Sequence, residues 1–154
     1  GPIASTQKLL TAILVCEKGS LDEIVTVELS DTQCAPVRFG LKEGDKYSRR
    51  QLLTALLVKS SNDIAQALAR DNAGSVEAFV EKMNAKAKEY GLKNSYFVNP
   101  HGLPDEEEQY STAADLAIIA KAADLVPDIR EMTAKPSNSP IRTESSAPVV
   151  TATG

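Results

Sequence analysis

The run from Leu9 to Cys16 is apolar at every position except Thr11. It lies inside residues 5 to 18, which read as one helix with Ser5 as its N-cap and Gly19 as its stop. A surface helix keeps a polar face, and this one has almost none, so it has to be buried on several sides. Any fold open to the chain must accommodate that helix.

The rest of the sequence reads as further helices with a few short strands. Glu23 to Leu29 alternates and is rich in β-branched residues, which predicts a strand. A turn-rich connection, "FGLKEGDKYS", leads to Ser48 and Gln51, spaced as a capping box. The helix it opens runs from Arg49 to about Val58, with Leu52, Leu53, Leu56 and Leu57 on a broad apolar face. "KSSND" interrupts it, and a further helix runs from about Asp63 to Arg70. Gly74 and Ser75 then precede a helix from Val76 to Tyr90, closed by Gly91 and Leu92. "NSYFVNPHGLP" reads as a strand and a turn, Ser111 as the cap of a helix through Ala123, and Pro127 as the start of a short helix to about Met132. The fold class is therefore mainly α. Residues 1–135 form a helix-rich domain, and 136–154 a Ser/Pro/Thr-rich tail with at most one strand, at Val149 to Thr153.

Charge and composition narrow the function. A net charge of −4 leaves no basic stripe to neutralise phosphates, so a nucleic-acid partner is not expected. Asp105 to Glu108 read as a solvated acidic loop. Cys16 and Cys34 match no metal or redox spacing, and Cys16, among apolar neighbours, reads as a buried, inert thiol rather than half of a disulfide. The lone histidine, His101, cannot build a metal site. No run approaches membrane-spanning length, and no signal peptide is present. The leading Gly-Pro reads as a protease scar, which would leave the native leader unknown.

Two short patterns carry chemistry. Ser5 and Lys8, three apart on a helix, face the same way, about 5–6 Å apart at Cβ. A lysine can take a proton from a serine only when burial or another cation lowers its pKa, and Lys8 immediately precedes the apolar run. The helix N-terminus also favours negative charge developing on Ser5. On spacing alone, a capping serine and a solvated lysine are the favoured account of the pair, since both residue types are common. Ser60 and Asn62, where one helix gives way to the next, could relay a proton and hold an amide, or could simply cap the helix at Asp63. Together they make an S-x-x-K followed by an S-x-N, a combination found in penicillin-recognising serine acyltransferases.

The sequence resembles the D-alanyl-D-alanine carboxypeptidases, the low-molecular-mass penicillin-binding proteins. "PIASTQKLLTAILV" is similar to that family's first motif, and "FGLKEGDKYSRRQLLTALLVKSSNDIAQALA" to the segment around its second. "AFVEKMNAKAKEYGLKNSYFVNPHGLP" and "YSTAADLAIIAKAA" resemble the stretch that follows, so the likeness covers about residues 2 to 135. It implies Ser5 as acylated nucleophile, Lys8 as general base, Ser60 as proton relay to the leaving D-alanine and Asn62 as holder of the substrate amide. The Ser5 N–H would supply half of an oxyanion hole. Peptidoglycan stem peptides and β-lactams would be the ligands, no metal or cofactor is implied, and the expected location is extracytoplasmic, in the periplasm or at the cell surface. His101, in "NPHGL", reads as structural.

The chain also departs from that pattern. "VTATG" has the Thr-Gly of the family's third motif, K-[ST]-G, without its lysine, and only four residues precede Ser5. The central sheet of the family's α+β fold is thus expected to be largely missing, leaving the Leu9 to Cys16 helix with an exposed apolar face. Three explanations are open: a fragment, a chain completed by a second polypeptide or by self-association, or a relative that has lost the sheet and its catalysis. The Gly-Pro and the end at "TATG" favour an artificial boundary. The leading function is a serine D-Ala-D-Ala carboxypeptidase of peptidoglycan maturation. The alternative is a non-catalytic helical module that binds peptidoglycan or protein. A β-lactamase is weaker, because no E-x-x-L-N segment is found to place a deacylating water.

Overall fold

The computed structural model describes residues 2–33, 39–59, 61–101 and 110–135, with backbone alone for 2–6. Six helices and one two-stranded ribbon make up the described part. In chain order they are α1 (Pro2–Lys18), β1 (Ile24–Thr26), a 3-10 turn (Leu29–Thr32), β2 (Lys46–Ser48), α2 (Arg49–Lys59), α3 (Asn62–Ala73), α4 (Val76–Glu89), α5 (Ala113–Asp124) and α6 (Pro127–Thr133).

The apolar helix is the hub. α1 packs against each of the other five helices. Leu10, Ala12, Ile13, Leu14 and Val15 are all buried in the core, and Leu9 and Cys16 are partly covered by it. The expected exposed face on this helix is therefore not found: a shell of helices, rather than a sheet, covers it. Around it, Leu52, Leu53 and Leu56 of α2, Ile64 and Leu68 of α3, Phe79 and Met83 of α4 and Ile119 of α5 are fully buried. Among the described residues, large apolar side chains are exposed away from α1, at Ile24, Leu29, Tyr96, Tyr110, Ile118 and Leu125.

Local signals explain most of the helix ends. The Ser48–Gln51 capping box forms in both directions, with the Ser48 N–H donating to Gln51 Oε1 at 2.8 Å and the Gln51 N–H to Ser48 Oγ at 3.1 Å. Ser75 caps α4 by accepting from the Ala78 N–H at 3.0 Å. At the other end of that helix Gly91 takes a φ of 74°, and the Leu92 N–H turns back to the Ala87 carbonyl at 2.8 Å. Only glycine adopts that left-handed conformation without strain.

Other boundaries move. α1 starts at Pro2, so Ser5 lies within the helix and is not its cap. A proline has no N–H to leave unsatisfied and its fixed φ suits the first helical position, which lets the helix begin early. Asn62 already belongs to α3, which runs on to Ala73, past the expected Arg70. Thr112, not Ser111, caps α5, accepting from the Asp115 N–H at 3.2 Å. The Ser111 hydroxyl instead lies 2.6 Å from Ser95 Oγ. The expected strand from Glu23 to Leu29 is only Ile24–Thr26, paired antiparallel with Lys46–Ser48 in the stretch read as a loop. It ends because Glu28 and Asp31 form a capping box that folds Leu29–Thr32 into a 3-10 turn. The expected strand in "NSYFVNP" is reduced to one bridge, Tyr96 to Tyr110. Cys34, the acidic loop at 105–108 and the tail from 136 lie outside the described residues.

Long-range polar contacts fix the shell to the hub. Lys18 Nζ donates to the Asn72 carbonyl at 2.6 Å and Asn72 Nδ2 to the Leu14 carbonyl at 3.4 Å, joining the C-terminal ends of α1 and α3. A cation at a helix C-terminus also complements the helix dipole. Arg70 on α3 pairs with the buried Asp31 through both Nε and Nη2, at 3.0 and 2.9 Å, and reaches the Thr26 carbonyl at 3.0 Å. That tether holds the ribbon and the 3-10 turn on the helices.

Because Leu10 is wholly inside, its truncation leaves a cavity that the surrounding helices can only partly close. Leu10→Ala is expected to cost about 3 kcal/mol of unfolding free energy, read as a lower urea midpoint with an unchanged slope.

Candidate active site

Lys8 lies one turn after Ser5 on α1, and the helix sets them on one face. The Lys8 side chain is buried, only 6% exposed, and burial pushes its ammonium below the ordinary lysine pKa of 10.5. The solvated lysine that spacing alone allowed is thereby excluded. Ser5 lies outside the described side chains.

The start of α1 is held by a chain segment distant in sequence. Gln7 Nε2 donates to the Asn99 carbonyl, and Thr11 Oγ1 to the Pro100 carbonyl at 3.0 Å. These two residues, four apart, flank Lys8 along the helix. The 97–101 segment is fixed in turn by α4: Asn84 Nδ2 donates to the Phe97 carbonyl at 2.8 Å, and the Phe97 N–H donates to Asn84 Oδ1 at 2.9 Å. His101 is buried here, and its N–H donates to Asn99 Oδ1 at 3.3 Å. It is part of this packed segment, as a structural histidine would be.

The second element lies between α2, which ends at Lys59, and α3, which begins at Asn62. Ser60 lies outside the described residues. Ser61 takes the extended N-cap conformation without using its side chain as a cap. Asn62 is 2% exposed, on a helix that packs directly against α1. The structure thus places Lys8 and Asn62 as buried polar side chains on two contacting helices.

Sequence reasoning missed the group that organises this break. Asp63 is 0% exposed, and its carboxylate accepts from three successive backbone N–H groups: Phe39 at 2.8 Å, Gly40 at 2.9 Å and Leu41 at 3.0 Å. It also accepts from the Ile64 N–H at 3.0 Å. A buried carboxylate needs such donors, and here they tie the 39–41 loop to the residue next to Asn62. Gly40, with a φ of 99°, gives the loop its left-handed turn. The sequence offered one faint signal, an aspartate in the first turn of a helix that already had cap candidates.

Cys16 is a free thiol, half-buried rather than buried. Burial, and secondarily Asp128 against the opposing field of Arg50, push its pKa up to about 11, so it is a poor nucleophile at neutral pH. Among the described residues no group of three His, Cys, Asp or Glu side chains is arranged to hold a metal ion, and no helix is long and apolar enough to cross a membrane.

Known proteins resemble this chain in sequence and fold. Residues 1–145 match a family described as D-alanyl-D-alanine carboxypeptidase. The chain is 41% identical over 124 residues to the D-alanyl-D-alanine carboxypeptidase DacF of Bacillus subtilis, covering 77% of this chain and 31% of that protein. It is 39% identical over 137 residues to a D-alanyl-D-alanine carboxypeptidase of Mycobacterium tuberculosis, covering 88% of this chain and 47% of the other. A crystal structure of a D-alanyl-D-alanine carboxypeptidase from Mycobacterium tuberculosis H37Rv superposes with a TM-score of 0.83 at 38% identity, over 88% of this chain and 51% of that one. A Streptomyces DD-transpeptidase does so with a TM-score of 0.79 at 30% identity, over 92% and 61%. The chain therefore spans from about a third to about half of the length of these two curated relatives.

Removing the Asp63 carboxylate leaves three adjacent amides without their acceptor. Asp63→Ala is expected to cost about 3 kcal/mol or more, with amide hydrogen exchange accelerating first at Phe39, Gly40 and Leu41. Unchanged protection there would show that the loop is held by something else.

Proposed function

The chain belongs to the D-alanyl-D-alanine carboxypeptidase family, and from that premise we propose that it carries two catalytic elements of a serine D-Ala-D-Ala carboxypeptidase. The observation that carries the reading is the buried lysine of depressed pKa, one turn from a serine, on the central helix. Ser5 Oγ attacks the carbonyl of the penultimate D-alanine of a peptidoglycan stem peptide while Lys8, as the neutral amine, takes its proton. Ser60 passes a proton to the amino group of the departing D-alanine. Asn62 holds the peptide amide, and the Ser5 N–H donates to the developing oxyanion. Water then attacks the ester, releasing the shortened peptide and restoring the Ser5 hydroxyl. A β-lactam acylates the same oxygen by opening its ring.

In this reading the protein works in the cell wall, outside the cytoplasmic membrane. The lysine of a K-[ST]-G motif and the strand that bears it come from polypeptide beyond these residues, whether the remainder of one parent chain, a second chain or another copy. Binding of stem peptide without any acyl-enzyme would instead favour a non-catalytic module.

The test is intact mass after incubation with a penicillin, made on this chain together with the polypeptide that supplies the K-[ST]-G strand. One covalent adduct per chain is expected, mapping to the peptide that contains Ser5 and lost in Ser5→Ala. An adduct that persists in that variant would remove Ser5 from the role.

Base catalysis by Lys8 also fixes a pH profile. The amine acts only when neutral, so acylation should rise with pH and level off above the pKa of Lys8. Because burial lowers that pKa, the midpoint of the rise should lie below pH 10.5. Lys8→Arg, which stays protonated, should lose acylation by about a hundredfold or more while the chain remains folded.

A further inference from the structure

Three lysines gather where the end of α1 meets α3 and α4. Lys18 closes α1, and Lys82 and Lys86 stand one turn apart on α4. Asn72 of α3 links two of them. Its carbonyl accepts from Lys18 Nζ at 2.6 Å, its Oδ1 accepts from Lys82 Nζ, and its Nδ2 is turned to the Leu14 carbonyl. The amines of Lys18 and Lys82 are therefore held on the two oxygens of one buried residue.

The three are not partnered alike. Lys86 Nζ binds Glu17 at 2.6 Å and Glu89 at 2.9 Å, and lies over the Tyr90 ring. Among the described residues no carboxylate pairs with Lys18 or Lys82, whose acceptors are the neutral oxygens of Asn72. A cation at the end of α1 complements that helix's dipole, which accounts for Lys18. Lys82 lies in mid-helix, seven residues before the end of α4, and binds a side chain rather than a terminal carbonyl, so no dipole accounts for it. Burial first, then Lys18 and Lys86 against the opposing field of Glu17, hold its amine below the ordinary lysine pKa of 10.5.

A half-buried amine with more than the usual share of its neutral form is a nucleophile for a small electrophile. The surroundings favour one that leaves a negative charge. Lys18 spends one of its three N–H groups on Asn72, and Lys86 spends two on its carboxylates, so both have a donor left for an anion. An ordinary acyl donor would leave a neutral amide, giving those donors no charge to bind. Carbon dioxide leaves a carbamate, which supplies the charge and keeps one N–H for Asn72 Oδ1.

We propose that Lys82 is a carbon dioxide site, at which a carbamate bridges Lys18 and Lys86 and locks the ends of α1 and α3 to α4. In the step, the Lys82 nitrogen lone pair adds to the carbon of CO2, one C–O π bond opens onto oxygen, and one N–H proton passes to solvent. No oxidant or reductant takes part. The site is independent of the acyl-transfer reading, since it stands at the opposite end of α1 from Ser5 and Lys8.

The experiment uses the same completed assembly as the penicillin test, with and without CO2-equilibrated bicarbonate at constant pH and ionic strength. Triethyloxonium converts a carbamate to its stable ethyl ester, and mass analysis after digestion assigns the ester to a residue. It is expected on Lys82 at an occupancy severalfold above that on Lys121, an exposed lysine of α5. Lys18→Gln should lower the Lys82 occupancy severalfold, because it removes a partner of the carbamate and a repelling charge together, whereas Lys121→Gln should leave it unchanged. The thermal midpoint should rise by about 2 °C with CO2, and should not move in Lys82→Arg, which keeps the charge but takes no CO2. No ester on Lys82, an occupancy equal to that of Lys121, an undiminished occupancy in Lys18→Gln, or an unmoved midpoint would overturn the proposal.

Discussion

Everything described here depends on burying a helix that has almost no polar side. A helix of that kind cannot rest on a surface, and the chain answers by placing α1 in contact with all five other helices. The cost of ordering so much chain is met by a continuous core, in which the fully buried leucines of α2, the phenylalanine of α4 and the isoleucine of α5 all belong to one cluster with α1. The same placement creates the chemistry. A lysine one residue before the apolar stretch is drawn in with it, and the environment that stabilises the fold is the one that weakens its hold on a proton.

The connections between helices are governed by a second rule: irregular backbone close to a core must find partners for its N–H and C=O groups. Three of the side chains that supply them show how. Asp63 gathers the 39–41 loop, Asn84 takes both backbone groups of Phe97, and Asp115 accepts from the Asn94 N–H at 3.0 Å and from Ser95 Oγ at 2.7 Å. Each is on a helix and each reaches a segment that has no ladder of its own. The described 39–41 and 94–97 segments are thus tied to helices, although they are not part of one.

The helices were largely legible in the sequence because their signals are local. Ser48 with Gln51, Ser75, Gly91 with Leu92, and Pro127 each mark an end through contacts within one turn, and each stands where it was expected. The misreadings came where two local signals competed or where the partner was distant. Ser5 looked like a cap, but Pro2 opens the helix sooner. Ser111 lost its place to Thr112, one residue on. The β1–β2 pair joins residues 20 to 24 apart, and nothing in "GDKYS" announces its partner. At the candidate site, spacing placed Lys8 and Ser5 on one face. Its burial could be anticipated only from the apolar run that follows it. Asp63 was invisible as an anchor because its three donors come from a loop 22 to 24 residues away.

The position of α1 also bears on how the molecule comes into being. Among the described helices it is the first in chain order, yet its packing partners include α5 and α6, the last of them. A ribosome emitting this sequence releases its greasiest segment more than a hundred residues before the last of its neighbours. Until then α1 has only a partial shell, and its most favourable alternatives are another nascent chain or a chaperone. The contacts that complete the core are the ones most remote in sequence, so closure is slow in comparison with a bundle whose helices pack in order. The feature that makes the native state cohesive is thus the one that makes its assembly late.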